Sequence, residues 1–340
     1  MNQNELNKEQ KKLREATLSS LKKIDENLYC IDYQNDYYLQ ELLNKGFQSQ
    51  EDIKKFVSGK LEIDLNFEEV SYGKSGCSSF NVFNKANQNL FGRNFDFPLK
   101  SPTIIVWTQP KDGYKSINFV HGYYIGIYDN QEIKKERLLY SIYDIIDGMN
   151  EKGLAVSILR LKNTPAIHQD DAYKKNAMQS LLMKGVLDYC KNANEAVDFF
   201  QKYNLHEIGN NCSYHYLFTD AQGDSILLEY FDNKPIIIKP YDVEKTKYLY
   251  ATNFFLSKPI GPGNENGIDR YTKLKDNLKD DKIMELNEAL KLLNDVHKES
   301  TQWSNVYNTS KLNVITALRH NYDILYEFKV DKPNEFKILK

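Results

Sequence analysis

Short segments of alternating apolar and polar residues dominate the sequence from Glu68 to the C-terminus. They are rich in Val, Ile, Phe and Tyr and are separated by Gly, Asn and Asp, which predicts β-strands joined by tight turns. The predicted strands are 78–84, 89–95, 103–109, 115–120, 122–128, 154–160, 213–219, 225–231, 235–239, 247–252, 303–308, 311–317 and 322–329. Helices are predicted at 172–191, 194–203 and 282–297. Runs of strands interrupted by helices favour an α+β layered domain over a strictly alternating parallel sheet.

The first 76 residues differ from the rest because they are charged and helix-prone. The predicted helices there are 4–26, 36–46 and 50–58. Gly46 supplies a C-terminal stop and Ser49 an N-cap for the second and third of these helices. We therefore expect an N-terminal segment at 1–76 and a larger domain at 77–340.

Charge and composition exclude several classes of protein. Lys and Arg number 45 against 47 Asp and Glu, a net charge of -2 without the basic excess of a nucleic-acid binder. No apolar run approaches the roughly 18 residues of a membrane span. The first thirty residues lack the apolar core of a secretory signal. The four cysteines, Cys30, Cys77, Cys190 and Cys212, are too scattered to form a disulfide framework, so we expect a cytoplasmic protein with reduced thiols.

The residues that carry chemistry begin at Cys77, which directly follows Gly76 and opens a predicted strand. Arg93 and Asp96 lie on the next strand, and an antiparallel hairpin brings the far end of that strand back beside Cys77. A guanidinium near a thiol favours the thiolate, and a carboxylate can orient an adjacent amine. On residue types alone, a buried structural cysteine and a surface Arg–Asp pair remain open as alternatives.

This stretch resembles the start of the mature chain in the choloylglycine hydrolase and penicillin V acylase family. That family groups with acid-ceramidase-like amidases and isopenicillin N acyltransferase among the N-terminal nucleophile (Ntn) hydrolases. Its members carry a nucleophilic Cys, an Arg sixteen residues later and an Asp three further, the spacing of Cys77, Arg93 and Asp96. Further motifs follow in the family's order, namely 147–154, Ala251-Thr252-Asn253, Asp269-Arg270-Tyr271 and 301–307.

The resemblance implies a four-layer αββα sandwich and a self-processing mechanism. Cys77 would attack the Gly76 carbonyl, and cleavage would free its α-amine as the general base. Asn253 would bind the oxyanion, Asp96 would hold the amine, and Arg93 and Arg270 would bias ionisation in the site. Residues 1–76 then resemble the propeptides of the acid-ceramidase-like and acyltransferase branch. The alternative is an ordinary N-terminal helical subdomain that is never cleaved.

The function implied is hydrolysis of a linear, non-peptide C–N amide bond in a small N-acyl compound, through a thioester and without a cofactor. One alternative is an acyltransferase that passes the acyl group to an amine or takes it from a CoA thioester. Another is a non-catalytic binding protein on the same scaffold. A homo-oligomer is compatible with any of these.

Two further residues are candidates for the substrate pocket, Asn150 and Arg160. Arg160 stands where bile salt hydrolases carry an Asn and penicillin V acylases a Tyr, which puts both of those substrates in doubt. It either recognises a carboxylate or ends a strand that faces solvent. No metal site is predicted, because Cys212 and His215 lack a second Cys/His pair at zinc spacing.

Overall fold

Two β-sheets form the centre of the structure, a computed structural model that describes residues 3–67, 76–209 and 211–339. The strands are β1 (Lys22–Asp25), β2 (Leu28–Tyr33), β3 (Gly76–Phe83), β4 (Asn89–Asp96), β5 (Thr103–Thr108), β6 (Ser116–His121), β7 (Ile145–Asn150), β8 (Ala155–Lys162), β9 (Lys175–Met178), β10 (Tyr203–His206), β11 (Cys212–Thr219), β12 (Ser225–Phe231), β13 (Lys234–Ile238), β14 (Tyr250–Ala251), β15 (Thr301–Asn308), β16 (Asn313–Leu318), β17 (Asn321–Lys329) and β18 (Phe336–Leu339). The helices are α1 (Gln3–Ser19), α2 (Leu39–Lys45), α3 (Gln50–Leu61), α4 (Gln179–Tyr189), α5 (Ala193–Gln201), α6 (Ile268–Leu278) and α7 (Leu286–Asp295). Short 3₁₀ helices cover Gly122–Ile125, Lys135–Tyr143 and Lys279–Asp281.

The strand order shows how distant parts of the chain meet. The nine-stranded sheet runs β1-β2-β5-β6-β7-β8-β11-β12-β13, and the seven-stranded sheet runs β14-β3-β4-β15-β16-β17-β18. Strands β9 and β10 form a separate parallel pair. Most neighbours are antiparallel, as expected when one sheet is built largely from hairpins.

Helices cover the outer face of each sheet, so the layers run helix, sheet, sheet, helix. Helices α1 to α5 lie on the side of the nine-stranded sheet, over an apolar core that includes Ile31, Leu42, Val57, Leu182 and Val197. Helices α6 and α7 pack on the seven-stranded sheet, and the second core includes Phe80, Phe119, Leu274, Leu293 and Trp303. The predicted α+β class and αββα sandwich are confirmed. Within the described ranges, no helix is long and apolar enough to cross a bilayer.

Strands β3 and β4 form the hairpin that carries the predicted catalytic residues. All positions except Phe83 are buried, because one face of the pair meets the other sheet and the opposite face meets helices. Gly92 lies across from Phe80, and a Cβ at position 92 would come within 2.4 Å of the Phe80 ring. Glycine at this position therefore makes room for an aromatic ring in the middle of the sheet.

The N-terminal segment differs from its prediction, since the helix expected at 4–26 ends at Ser19. The chain then forms β1 and β2, and β2 runs parallel to β5, with Cys30 opposite Ile105. The helical spacing of Leu18, Leu21 and Ile24 misled the prediction, because it continues past Ser19 into β1, which pairs with the adjacent β2. The segment thus supplies two strands as well as α1–α3.

Other boundaries also need correction. The strand predicted at 122–128 is instead the 3₁₀ helix Gly122–Ile125, and 145–150 is a strand where only a turn motif was recognised. The helix predicted at 172–191 begins at Gln179, after β9. The strand predicted at 247–252 is reduced to Tyr250–Ala251, and α6 was not predicted.

Candidate active site

The main chain of Cys77 is held from two sides at the start of β3. Its N–H donates to Asn253 Oδ1 at 2.8 Å, and its carbonyl oxygen accepts from Arg270 Nη1. The side chain is only 2% exposed. The sequence predicted that Asn253 and Arg270 meet Cys77, and the structure places all three together.

Arg270 also fixes the orientation of the Asn253 amide. Arg270 Nη2 donates to Asn253 Oδ1 at 2.7 Å, and Nη1 donates to Ser78 Oγ at 2.8 Å. The Asn253 nitrogen donates in turn to the Arg160 carbonyl oxygen at 2.8 Å. The amide oxygen thus faces the Cys77 nitrogen, and one of the two N–H groups of the amide is engaged by the Arg160 carbonyl.

Asp96 lies across the hairpin from Gly76, as the predicted strand pairing required. Its Oδ1 accepts from Thr301 Oγ1 at 2.6 Å, while Oδ2 is 3.7 Å from Arg270 Nη1. Within the described ranges, Oδ2 has no hydrogen-bond partner. Complete burial raises the pKa of Asp96 above its usual range, and the nearby Arg270 charge opposes that rise.

Gly76 is pressed against polar side chains on the same face as Asp96. A Cβ at position 76 would lie 3.0 Å from Asp96 Oδ2 and 3.3 Å from Lys298 Nζ. Close approach, rather than a left-handed backbone, therefore favours glycine at this position.

Arg93 is fully buried and reaches from β4 to β8 of the other sheet. Its Nη2 donates to the Ile158 carbonyl at 2.7 Å, and its Nη1 donates to the Asn94 carbonyl at 3.0 Å. Its Nε is 3.8 Å from Asp147 Oδ1. A buried carboxylate thus faces the buried guanidinium, as a cation in this environment requires.

Asp147 was quoted in a sequence motif but received no role there. It accepts hydrogen bonds from Trp303 Nε1 at 2.9 Å, Asn305 Nδ2 at 2.8 Å and Tyr307 Oη at 2.6 Å. Burial raises the pKa of Asp147, and Arg93 pulls in the opposite direction. An aspartate inside the buried strand Ile145–Asn150 is the signal that could have identified it, since such a group needs a partner.

A small pocket lies beside Cys77, with a cavity volume of about 30 Å³. Besides Cys77, its lining residues are Phe95, Tyr124, Asp144, Ile145, Ile146, Ile158, Arg160, Gln179, Ser180 and Tyr214. The candidate Arg160 lines this pocket, so its strand does not simply end in solvent. Asp144 and Gln179 were missed because the sequence gives no sign that β7, β8 and α4 converge on Cys77.

Asn150 requires a correction, because it is not among the residues that line the pocket. It is fully buried, and its Nδ2 donates to the carbonyl oxygens of Leu187 and Cys190 at 3.0 and 2.8 Å. Its Oδ1 accepts from the main-chain nitrogens of Lys152 and Leu154. All of its polar atoms therefore tie the β7–β8 turn to the end of α4. Across the described residues, no group of three His, Cys, Asp or Glu side chains could hold a metal ion.

The αββα sandwich is the fold of the Ntn hydrolases, and Cys77 lies near the start of β3, the second strand of the seven-stranded sheet. Within that class, the sequence profile described as acyl-coenzyme A:6-aminopenicillanic acid acyl-transferase matches residues 83–323, and the chain belongs to that family. The matched range contains Arg93, Asp96, Asn253 and Arg270 and begins after Cys77.

Solved structures share the fold at low sequence identity. A mutant conjugated bile acid hydrolase from Clostridium perfringens matches with a TM-score of 0.54 and 17% identity, over 78% of this chain and 96% of that chain. A second variant of that hydrolase gives 0.53 and 17%, over 78% and 97%. Penicillin V acylase from Agrobacterium tumefaciens gives 0.46 and 17%, over 71% and 83%. A search of curated protein sequences found no match.

Proposed function

We propose that the protein is a self-processing cysteine amidohydrolase that cleaves a linear, non-peptide C–N amide bond of an N-acyl compound. The observation that carries this proposal is the environment of Cys77. Asn253 and Arg270 hold its main chain, and Asp96 Oδ2 lies beside Gly76 without a hydrogen-bond partner among the described residues. A strand residue with a purely structural role needs neither feature.

Self-processing would begin with attack of the Cys77 sulfur on the Gly76 carbonyl carbon. The S–C bond forms, the C–N bond between Gly76 and Cys77 breaks, and the thiol proton passes to the departing amine. Water then hydrolyses the thioester and leaves a carboxylate on Gly76 and a free thiol on Cys77. The released α-amine has acceptors at hand in Asn253 Oδ1, at 2.8 Å from the Cys77 nitrogen, and in Asp96 Oδ2.

Turnover of a substrate would repeat this chemistry with an external amide. The α-amine of Cys77, with an unperturbed pKa of about 7.7–8.0, accepts the thiol proton near neutral pH and returns it to the leaving amine. The sulfur forms a thioester with the acyl group, and water releases the acid. If Asn253 binds the oxyanion, the N–H of its amide group that does not donate to the Arg160 carbonyl would do so.

The pocket indicates what kind of acyl group would fit. Its apolar side consists of Phe95, Ile145, Ile146 and Ile158, which suits a hydrocarbon or aromatic acyl chain. Arg160 and Asp144 add groups of opposite charge to the same lining, which suits a polar end on the acyl chain.

The test of the proposal is intact mass and N-terminal sequencing of the purified protein. We expect two fragments divided between Gly76 and Cys77, and one uncut chain for Cys77→Ala. Cys212→Ala is the matched control, because that buried cysteine lies on β11 and does not line the pocket. If the parent stays intact after exposure to acid and to a protease, or if Cys77→Ala is cut equally well, the proposal is wrong.

Acyl transfer is a second candidate, favoured by the name of the family whose profile the chain matches. The same thioester would serve both reactions, so only its acceptor differs. Incubating the mature protein with an N-acyl amide and an added primary amine separates the two. A transferase forms the new amide in preference to the acid, whereas a hydrolase yields mainly the acid.

A further inference from the structure

A second cluster of buried polar groups lies behind the loop that carries Asn253. His215 on β11 and Glu229 on β12 are both completely buried. His215 Nδ1 is 3.1 Å from Glu229 Oε1, and His215 Nε2 is 2.8 Å from the Thr252 carbonyl oxygen. Neither side chain lines the pocket, and the proposed chemistry uses neither.

The two residues hold opposite ends of one loop, residues 252–257. His215 binds its first residue through the Thr252 carbonyl. Glu229 Oε1 accepts from the Leu256 nitrogen at 2.8 Å, and Oε2 accepts from the nitrogen and the hydroxyl of Ser257 at 3.2 and 2.6 Å. Asn253, the residue that contacts the Cys77 nitrogen, lies between these two attachment points.

The hydrogen-bond geometry also fixes which group donates. A carbonyl oxygen can only accept, so His215 Nε2 must carry a proton toward Thr252. Burial acts to raise the pKa of Glu229, but the hydrogen bond and charge of His215 outweigh it and lower that pKa below its usual range. His215 Nδ1 and Glu229 Oε1 share the second hydrogen bond of the ring, so the histidine joins the buried Glu229 carboxyl group to the Asn253 loop.

We propose that His215 and Glu229 are positioning residues for Asn253. By fixing both ends of the 252–257 loop, they set the Asn253 amide where it meets the Cys77 nitrogen and Arg270. The inference rests on the proposed function, because it takes Cys77 as the reacting residue. It adds that the alignment of Asn253 depends on the donor that His215 presents to Thr252.

Two substitutions at His215 separate this role from simple packing. A glutamine places its amide nitrogen near the position of Nε2 and keeps a donor for Thr252, whereas an asparagine places its nitrogen near Nδ1 and does not reach Thr252. We expect His215→Asn to slow cleavage at Gly76–Cys77, and kcat on an N-acyl amide, on the order of 10²-fold. His215→Gln should stay within roughly tenfold of the parent. The exposed His320→Gln serves as the control and should match the parent.

Thermal unfolding of both variants shows whether a loss of activity follows from a loss of stability. Equal losses of Tm together with a large difference in kcat and an unchanged KM support positioning. If both variants lose activity equally and in step with Tm, or if both keep parental activity, the inference is wrong.

A measurement on the parent protein tests the inference without requiring that either variant folds. The chain has six histidines, and spectra of ¹⁵N-labelled histidine rings should show a slowly exchanging Nε2 proton of the buried His215 with a contact to Thr252, because that nitrogen donates to the Thr252 carbonyl. Its absence would overturn the inference. Because this spectrum does not require cleavage at Gly76, failure of the proposed function and failure of the positioning role remain distinguishable.

Discussion

At the scale of single residues, the side chains around position 76 restrict which residue type can occupy it. Asp96 Oδ2 and Lys298 Nζ leave room for a hydrogen but barely for a methyl group. A side chain here would push the Asp96 carboxylate away from the Gly76–Cys77 bond. Glycine therefore keeps this carboxylate next to the bond at which we propose cleavage.

We expect Gly76→Ala to slow self-cleavage by at least about tenfold, equivalent to about 1.4 kcal/mol in the barrier. Gly59→Ala on α3 is the matched control, because a Cβ there meets no atom within 4 Å. The measurement is the time course of the two fragments by intact mass. Cleavage of Gly76→Ala at the parental rate would show that the close approach is irrelevant to processing.

The sequence predicted how residues lie along this hairpin better than it predicted the contacts between the two sheets. Spacing along a hairpin placed Cys77 and Asp96 at the same end of two strands, because antiparallel pairing is a local property. Asp147 and the pocket side of Arg160 depend on packing between sheets, which no local pattern encodes. Asn150 was misassigned for the same reason, since its partners Leu187 and Cys190 belong to a helix distant in sequence.

At the scale of elements, Glu207 is a buried carboxyl group placed between β10 and β11. It accepts from the main-chain nitrogens of Ile167 and Tyr214, at 3.0 and 3.2 Å, and from Tyr216 Oη at 2.8 Å. Burial nevertheless raises the pKa of Glu207 to about 7. The folded protein therefore binds this proton more tightly than the unfolded chain does.

The sign of the resulting pH dependence follows from that shift. The stability from the bound proton is fully present below the unfolded pKa of about 4.5 and is lost as pH rises through the folded pKa of about 7. The free energy of unfolding should fall by up to about 3 kcal/mol over this window. Glu207→Gln should make this decrease in the free energy of unfolding smaller, as measured by urea unfolding at about pH 5 and about pH 8. An unchanged difference between these two conditions would rule out Glu207 as its source.

The elements also show where sequence patterns fail. The hairpins of β15, β16 and β17 were predicted closely, because each pairs with its neighbour in sequence. Strand β2 was not predicted, since its partner β5 follows it only after the helices α2 and α3 and the β3–β4 hairpin. Non-local pairing leaves little trace in a short window of sequence.

At the scale of the whole molecule, a buried polar cluster joins the N-terminal segment to the larger domain. Tyr37 Oη donates to Asp188 Oδ2 at 2.7 Å. Lys184 pairs with the same carboxylate and donates to Thr108 Oγ1 at 3.0 Å. In addition, Gln50 Nε2 donates to Asp144, a residue that lines the pocket, at 3.0 Å. Such contacts hold the segment in place whether or not the chain is cut at Gly76.

If cleavage occurs as proposed, the two fragments should co-elute under native conditions and separate only in denaturant. Tyr37→Phe should lower the denaturant concentration at which they separate, because an acceptor on Asp188 loses its donor at a cost of about 1–3 kcal/mol. Tyr29→Phe, at a half-exposed site on β2, should leave that concentration unchanged. Separation of the parental fragments on native gel filtration would contradict this prediction.

The parallel pairing of β2 with β5 has a consequence for how the protein can be produced. A chain that started at Cys77 would lack β2, and β5 would become a bare sheet edge with open backbone donors and acceptors. Exposed edges of this kind recruit other chains and lead to aggregation. Expression of the larger piece alone is therefore expected to give insoluble material, which the N-terminal piece, supplied in trans, should rescue.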